Sequence, residues 1–292
     1  MDSAGPMNST AHRIDVDTTV CISVAARPTS IGTRFHNYLY AELGLNFVYK
    51  SFRTNDIAGA IAGVRALGIR GCSVSMPHKE SVIPLVDALE PSAAAIGSVN
   101  TIVNDDGVLT ASNTDYLAID ELIGERGIDL TCPVILHGSG GMAKAIAAVL
   151  HARGATDVTV LSRNTATGAA LADQYGFTAA SEIPAPTGAV LINATPIGMR
   201  GPQANDLSFP LEHIRAAPAV MDVVAFPAET PLLAAARDAG ATVVGGDAVI
   251  ALQAARQFVA YTGVTPTSDQ VARASRYSRE VWPGLHPHRL TA

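Results

Sequence analysis

From Thr18 onward, short runs of aliphatic and β-branched residues alternate with stretches whose apolar positions recur every three or four residues. The runs predict strands at 20–23, 47–51 and 71–75, with helices at 34–43, 57–67 and 81–85. Segments 101–103 and 108–111 flank Asn104-Asp105-Asp106-Gly107, which predicts a hairpin with a glycine-containing turn. A second series begins after Gly127, with strands at 134–136, 158–161, 189–193, 220–222 and 242–244. Helices are predicted between them at 142–153, 166–175 and 231–239, and two more at 248–261 and 268–281 close the chain. Strands separated by helices of this length form βαβ units, so the expected class is α/β with mostly parallel sheets.

With 292 residues the chain is long enough for two domains. The expected division is 18–115 together with 248–292 as an N-terminal, mostly parallel α/β domain for substrate, and 116–247 as a nucleotide domain of Rossmann type. The final helices would return to the first domain. Composition never shifts sharply, so the first boundary is soft around 115–120. Residues 1–17 are polar, lack the apolar core of a signal peptide and read as a disordered tail. The stretch after Pro283, with His286, Pro287 and His288, reads as a loose end.

Charge narrows the function classes. The net charge is -6 and no Lys/Arg run occurs, which argues against a nucleic-acid partner. No apolar run approaches the ~20 residues that span a bilayer. Cys21, Cys72 and Cys132 are far apart, match no metal spacing and are expected to pack as small hydrophobes in a cytoplasmic protein. His78 and His137 have no ligand partner at useful spacing, so no metal is expected. Monomer and homodimer both remain open.

The most specific local signal is Gly138-Ser139-Gly140-Gly141-Met142-Ala143, which stands between a predicted strand and a predicted helix. In such a turn Gly138 permits the sharp reversal and Gly140 lets the backbone approach a pyrophosphate, while the helix start offers unpaired N–H groups. Ala143 replaces the third glycine, a variant that the dinucleotide fingerprint allows. Glycine-rich turns also join strands to helices in domains that bind nothing, so the strand–turn–helix context carries the assignment. After the next strand an NAD site usually supplies a carboxylate for the ribose 2′-hydroxyl. Here that place holds Ser162-Arg163-Asn164, and Arg163 suits a 2′-phosphate. NADP is therefore expected in preference to NAD.

Polar clusters sit at the ends of other predicted elements: Ser73-Val74-Ser75-Met76-Pro77-His78-Lys79, Gly97-Ser98-Val99-Asn100-Thr101 and Ser112-Asn113-Thr114-Asp115. Each alone has a structural reading as a turn or a solvated surface. Together with Leu191-Ile-Asn-Ala-Thr-Pro-Ile-Gly-Met199, Asp222, Pro227-Ala-Glu-Thr-Pro231 and Gln253, they make the chain resemble the shikimate dehydrogenase family from about Val20 to Gly263. The resemblance implies NADP-linked interconversion of shikimate and 3-dehydroshikimate, or the oxidation of a close cyclic hydroxy acid such as quinate or aminoshikimate. A catalytically weak dinucleotide sensor is the alternative from another class. By resemblance Lys79 and Asp115 are the catalytic pair, with Lys79 either carrying the proton or stabilising the developing alkoxide. Ser30, Ser75, Asn100, Asp115 and Gln253 would hold the substrate. Asn193, Ala194, Thr195, Val223 and Gly246 would join Gly138, Ser139, Gly140, Gly141, Met142, Ala143, Ser162 and Arg163 around the cofactor.

Three positions depart from the family pattern. Aligned on His36-Asn37, the loop that usually supplies two serines to the substrate carboxylate reads Ser30-Ile31-Gly32, so the second hydroxyl is missing. A hydrogen bond to a charged group contributes roughly 1.5–3 kcal/mol, enough to weaken binding by one to two decades. Thr33 or Arg34 could substitute. Ala225 stands where a tyrosine is common, and Ser75 replaces a threonine. These departures place the expected divergence in the substrate half.

Overall fold

The computed structural model describes residues 14–185 and 188–280. Most of the expected N-terminal tail, the segment around His286-Pro287-His288 and Val281, the predicted end of the last helix, lie outside the described residues. Two six-stranded sheets organise the chain. The first is assembled from β1 (Thr19–Ala25), α1 (Ile31–Glu42), β2 (Phe47–Arg53), α2 (Ile57–Ala66), β3 (Gly71–Val74), β4 (Ala88–Leu89), α3 (Pro91–Ala94), β5 (Thr101–Asp105) and β6 (Val108–Ser112). Its order is β2-β1-β3-β5-β6-β4, parallel from β2 to β3, then antiparallel through the β5–β6 hairpin.

Helix α4 (Thr114–Glu125) leads to the second sheet, which comprises β7 (Val134–His137), α5 (Gly141–Ala152), β8 (Val158–Leu161), α6 (Thr165–Tyr175), β9 (Thr178–Ala180), β10 (Val190–Asn193), α7 (Leu211–Ala216), β11 (Ala219–Asp222), α8 (Pro231–Asp238) and β12 (Thr242–Gly245). The order β12-β11-β10-β7-β8-β9 is parallel throughout and reverses direction beside β7, the doubly wound Rossmann topology. Helices α9 (Gly246–Thr262) and α10 (Ser268–Arg279) then return to the first sheet.

Period-two alternation assigns the faces. In β1, Cys21 turns toward Phe35, Leu39, Tyr40 and Phe258 of α1 and α9, while Ile22 and Val24 turn toward Ile61 and Val64 of α2. In β7, Val134 and Leu136 pack with Ile146 of α5 and Ile119 of α4, while Ile135 packs with Phe209 and Leu232 on the other side. Sheets covered on both faces need continuous apolar strands, and β7, β10 and β11 supply them. Helices α4 and α9 lie side by side, tied by Arg256 Nε donating to Glu121 Oε2 at 2.9 Å.

Several elements differ from the expectation. The predicted helix at 81–85 is only a short 3₁₀ turn at Ile83–Leu85, which ends where Val86 turns extended ahead of β4. No helix is predicted at 114–125, yet α4 fills that segment. The short β4, α3, β9 and α7 are also unpredicted. Cys21 and Cys72 are buried as expected, whereas Cys132 is half-exposed at the rim of the second core.

Candidate active site

The loop after β3 is pinned from several sides. His78 N donates to Ser75 O at 3.0 Å, His78 Nε2 lies 3.0 Å from Thr54 O, and Val99 N donates to the Lys79 carbonyl at 2.8 Å. This fixes the backbone from which Lys79 Nζ donates to Asp115 Oδ2 at 2.6 Å. The two side chains are 27% and 14% exposed, so the pair is sheltered and still reachable. Asp115 stands in the first turn of α4, where the helix dipole favours a carboxylate. Asn113 caps that helix by accepting from Tyr116 N at 3.1 Å, and its amide donates to Ser98 O at 2.9 Å.

Asn100 joins the same network. Its Oδ1 accepts from Thr114 N at 2.8 Å and from Thr101 Oγ1 at 2.7 Å. The Thr114 hydroxyl lies 3.2 Å from Gln253 Oε1, so α9 also reaches the start of α4. Gln257, one turn further along, donates to Asn100 O at 3.2 Å and to Thr101 Oγ1 at 3.0 Å. The structure thus brings together Lys79, Asp115, Asn100 and Gln253. Ser75, exposed at the end of β3, and Ser30, exposed at the start of α1, lie outside this network. Gln257 was not foreseen, since nothing in its local sequence marks it and its partners are distant along the chain, and Thr114, read only as part of the Ser112–Asp115 cluster, was given no role of its own.

The glycine turn matches the geometric demands of a pyrophosphate cradle. Gly138 has φ +128°, and a Cβ there would stand 2.8 Å from the Ala194 carbonyl oxygen. A Cβ on Gly140 or Gly141 would meet nothing within 4 Å, which leaves the space in front of the α5 amides open. No side chain caps α5, so its first N–H groups are available to an anion. Met142 is half-buried in the first turn, and Ala143 packs fully beneath it. Ser139 Oγ lies 2.8 Å from Thr167 Oγ1 on α6, a partner absent from the fingerprint. Arg163 is exposed at the end of β8 and belongs to no ion pair among the described residues.

Other expected cofactor residues face inward. The Ser162 hydroxyl donates to Asn164 O at 2.8 Å and packs where a Gly168 side chain would clash. Asn193 is fully buried: its amide donates to Asp222 Oδ1 at 3.0 Å and Ile197 O at 3.1 Å, and its Oδ1 accepts from Thr195 Oγ1 at 2.6 Å. Asp222 also accepts from Thr230 Oγ1 at 2.6 Å, and burial raises its carboxyl pKa above the usual carboxylate value. Asn193 and Ser162 therefore shape the loops by hydrogen bonds within the protein. Val223 is half-buried and donates its N–H to Asn193 O at 3.0 Å. Gly246 begins α9 so tightly against the Val224 carbonyl that a Cβ would lie 2.2 Å from the oxygen.

One side-chain contact ties the two halves together near the glycine turn. Lys144 Nζ on α5 donates to Glu80 Oε1 at 2.8 Å, so the residue after Lys79 touches the helix that carries the glycine turn.

The model of the shikimate dehydrogenase substrate-binding domain matches residues 27–102. A shikimate dehydrogenase-like protein of Haemophilus influenzae is 48% identical over 267 residues, covering 91% of this chain and 98% of the relative. The solved structure of a shikimate 5-dehydrogenase-like protein superposes with a TM-score of 0.90 at 48% identity, covering 91% of this chain and all of that one (100%). The Thermus thermophilus shikimate 5-dehydrogenase, solved in complex with NADP(H) and shikimate, gives a TM-score of 0.77 at 29% identity, over 89% of this chain and 100% of that one. The chain belongs to the shikimate dehydrogenase family.

Proposed function

We propose that the protein is an NADP-dependent dehydrogenase that interconverts shikimate and 3-dehydroshikimate, or acts on a close cyclic hydroxy acid. The observation that carries this reading is the sheltered Lys79–Asp115 pair, held on a loop that touches the helix of the glycine turn. The glycines suit a dinucleotide, because side chains are excluded at Gly138 and space is open at Gly140 and Gly141. Exposed Arg163 suits a 2′-phosphate, and NADP(H) in the Thermus thermophilus structure supports that choice. When bound, the nicotinamide accepts or supplies the hydride at the carbinol carbon.

The chain's own residues handle the oxygen and its proton. Lys79 Nζ hydrogen-bonds the reacting oxygen, and Asp115 orients the ammonium group. The proton that leaves the hydroxyl on oxidation passes through this pair to solvent, and on reduction it returns the same way. Asn100 and Gln253, tied to Thr114, present their remaining polar capacity to neighbouring ring hydroxyls. The second reading, quinate or another analogue in place of shikimate, is favoured by Gly32 and Ala225, which lack the side chains that the family commonly directs at the substrate.

The test is hydride transfer followed by NADP(H) absorbance with shikimate, quinate and aminoshikimate, with NAD in parallel. Turnover with NADP is expected for at least one of them. Lys79→Ala should lose on the order of 10²–10⁴ in kcat while NADPH affinity is retained. An unchanged rate in that variant would remove the catalytic assignment. Intact NADPH binding with no turnover of any ring acid would leave a dinucleotide-binding sensor.

A further inference from the structure

We infer that Gln257 is a positioning residue which, through the Thr101 hydroxyl, holds the Asn100 side chain with its amide N–H groups toward the ring site. The site then reads an oxygen acceptor on the substrate at that place and refuses an ammonium group. The inference rests on the dehydrogenase reading above, which seats the ring at Lys79 and Asp115. Asn100 adjoins both members of that pair. Its neighbour Val99 donates N–H to the Lys79 carbonyl at 2.8 Å, and its own Oδ1 accepts at 2.8 Å from the N–H of Thr114, the residue before Asp115.

Two backbone groups of fixed character set the direction of these bonds. A peptide N–H only donates, so the Asn100 side-chain atom 2.8 Å from Thr114 N is the oxygen, and the amide nitrogen lies on the other side. A carbonyl only accepts, so the Gln257 side-chain atom 3.2 Å from Asn100 O is the nitrogen. That nitrogen also donates to Thr101 Oγ1 at 3.0 Å, which leaves the Thr101 proton for Asn100 Oδ1 at 2.7 Å. One chain therefore runs from Gln257 through Thr101 to Asn100, with the role of each group as donor or acceptor fixed. Gln257 is 5% exposed and Thr101 is fully buried, so water competes little for these bonds. The His36 ring stands against the Gln257 side chain and helps to hold it.

What the chain leaves free is Asn100 Nδ2. Asn100 is only 3% exposed, yet this nitrogen has no hydrogen-bond partner among the described residues and is not sealed from solvent. A nearly buried N–H group without a partner is unfavourable until a ligand accepts from it. A ring hydroxyl or carbonyl oxygen satisfies it. An ammonium group has three donors and no acceptor, so it would set N–H against N–H. Without Gln257 the Thr101 hydroxyl is free to turn toward Thr114 Oγ1, 3.3 Å away, and Asn100 Oδ1 then loses its shortest bond. The amide is held less firmly and presents its donor less well.

Calorimetric titration of the full chain with NADPH present tests the relay independently of turnover. The probes are shikimate, the analogues in which one ring hydroxyl is replaced by hydrogen, and those in which one is replaced by an amino group. Gln257→Met and Thr101→Val, which nearly keep the volume, should each weaken shikimate about three- to ten-fold, the range of one neutral hydrogen bond. The double variant should lose no more than either single one, and Thr101→Ser should bind as the wild type does. One deoxy analogue should bind wild type and variants alike, because it lacks the hydroxyl that Asn100 contacts. The amino analogue at that same place should bind the wild type at least ten-fold more weakly than shikimate. Asn100→Asp, which sets an oxygen where Nδ2 stood, should reverse that preference. Losses spread equally over all analogues, additive losses or an unreversed preference would overturn the relay. Exchange of the side-chain amide protons, followed by NMR without ligand, gives a second measurement: slow at Gln257 and fast at Asn100. Fast exchange at Gln257 or protection at Asn100 overturns the relay whether or not a ring acid binds. Hydride transfer measured alongside separates the two readings. Turnover with none of this selectivity defeats only the relay, and the expected exchange pattern without turnover of any probe defeats only the dehydrogenase reading.

Discussion

Arg163 and His36 show how much a single side chain can decide. Arg163 ends β8 where a carboxylate would select NAD, and Asn164 beside it is occupied in capping α6 through Thr167 N. The charge is therefore free to meet a 2′-phosphate. Removing charge-assisted hydrogen bonds of roughly 1.5–3 kcal/mol predicts a 10–100-fold weaker NADPH complex for Arg163→Ala, with NADH affinity changed far less. Parallel titrations of the two nucleotides measure this, and equal losses would contradict the role. His36 makes a different prediction. It is fully buried and stacked on Tyr49 at 4.4 Å, with the Gln257 side chain against its ring. Burial pushes its pKa down to about 3. The unfolded chain binds this proton below about pH 6.5 while the folded protein does not, so the stability from neutral His36 is present above that pH and is lost as pH falls toward 3. Between pH 7 and 5 the loss is about 2 kcal/mol. Urea unfolding at the two pH values should show that part of the slope disappear in His36→Phe.

At the scale of elements, α4 is where local structure and chemistry meet. Its cap Asn113 satisfies the N–H of Tyr116, and the next residues, Thr114 and Asp115, carry the contacts to Asn100, Gln253 and Lys79. Asn113→Ala should reduce stability by about 1–2 kcal/mol and lower kcat by loosening Asp115, while Asn113→Ser should recover much of the cap. Thermal melts and rates on the same samples test whether the two effects move together. This helix also marks where sequence reading stopped. Asn113-Thr114-Asp115 looks like a loop cluster, and its helical stripe of Ala118, Ile119, Leu122 and Ile123 begins only after the polar residues. By contrast, the glycine turn and its flanking β7 and α5 were legible, because sharp reversal and close approach leave a local mark in residue type. Lys79 and Asp115 were recognisable through family motifs, but their 2.6 Å contact joins positions 36 residues apart. Asn193 shows the limit from the other side. It reads as a cofactor residue from its local motif, in which it bonds Thr195 and Ile197, while its bond to Asp222 joins positions that the parallel β10–β11 register brings opposite each other.

For the whole molecule, the chain passes from the first sheet to the second through α4 and returns through α9, and these helices lie against each other. A further link between the two halves is the ion pair of Lys144 on α5 and Glu80 after β3. Both side chains are well exposed, at 41% and 66%, so an ordinary surface pair of this kind contributes only about 0–1 kcal/mol to folding. Its leverage lies in position, since Glu80 follows Lys79 and Lys144 sits on the helix of the glycine turn. Holding the loop against that helix keeps the proposed proton-transfer pair and the nucleotide cradle in one arrangement. Glu80→Gln should therefore move Tm by little and raise KM for substrate and NADP together by a few-fold. Salt provides the check, because an exposed pair weakens as the Debye length shrinks from about 10 Å at 0.1 M to about 3 Å at 1 M. The wild-type KM should climb with ionic strength more steeply than that of Glu80→Gln. The exchanged double variant Glu80→Lys with Lys144→Glu should restore the low KM, since it keeps the attraction while reversing its direction. If the exchange fails while both single variants behave alike, the pair is a passive surface contact, and the two halves are set by α4 and α9 alone.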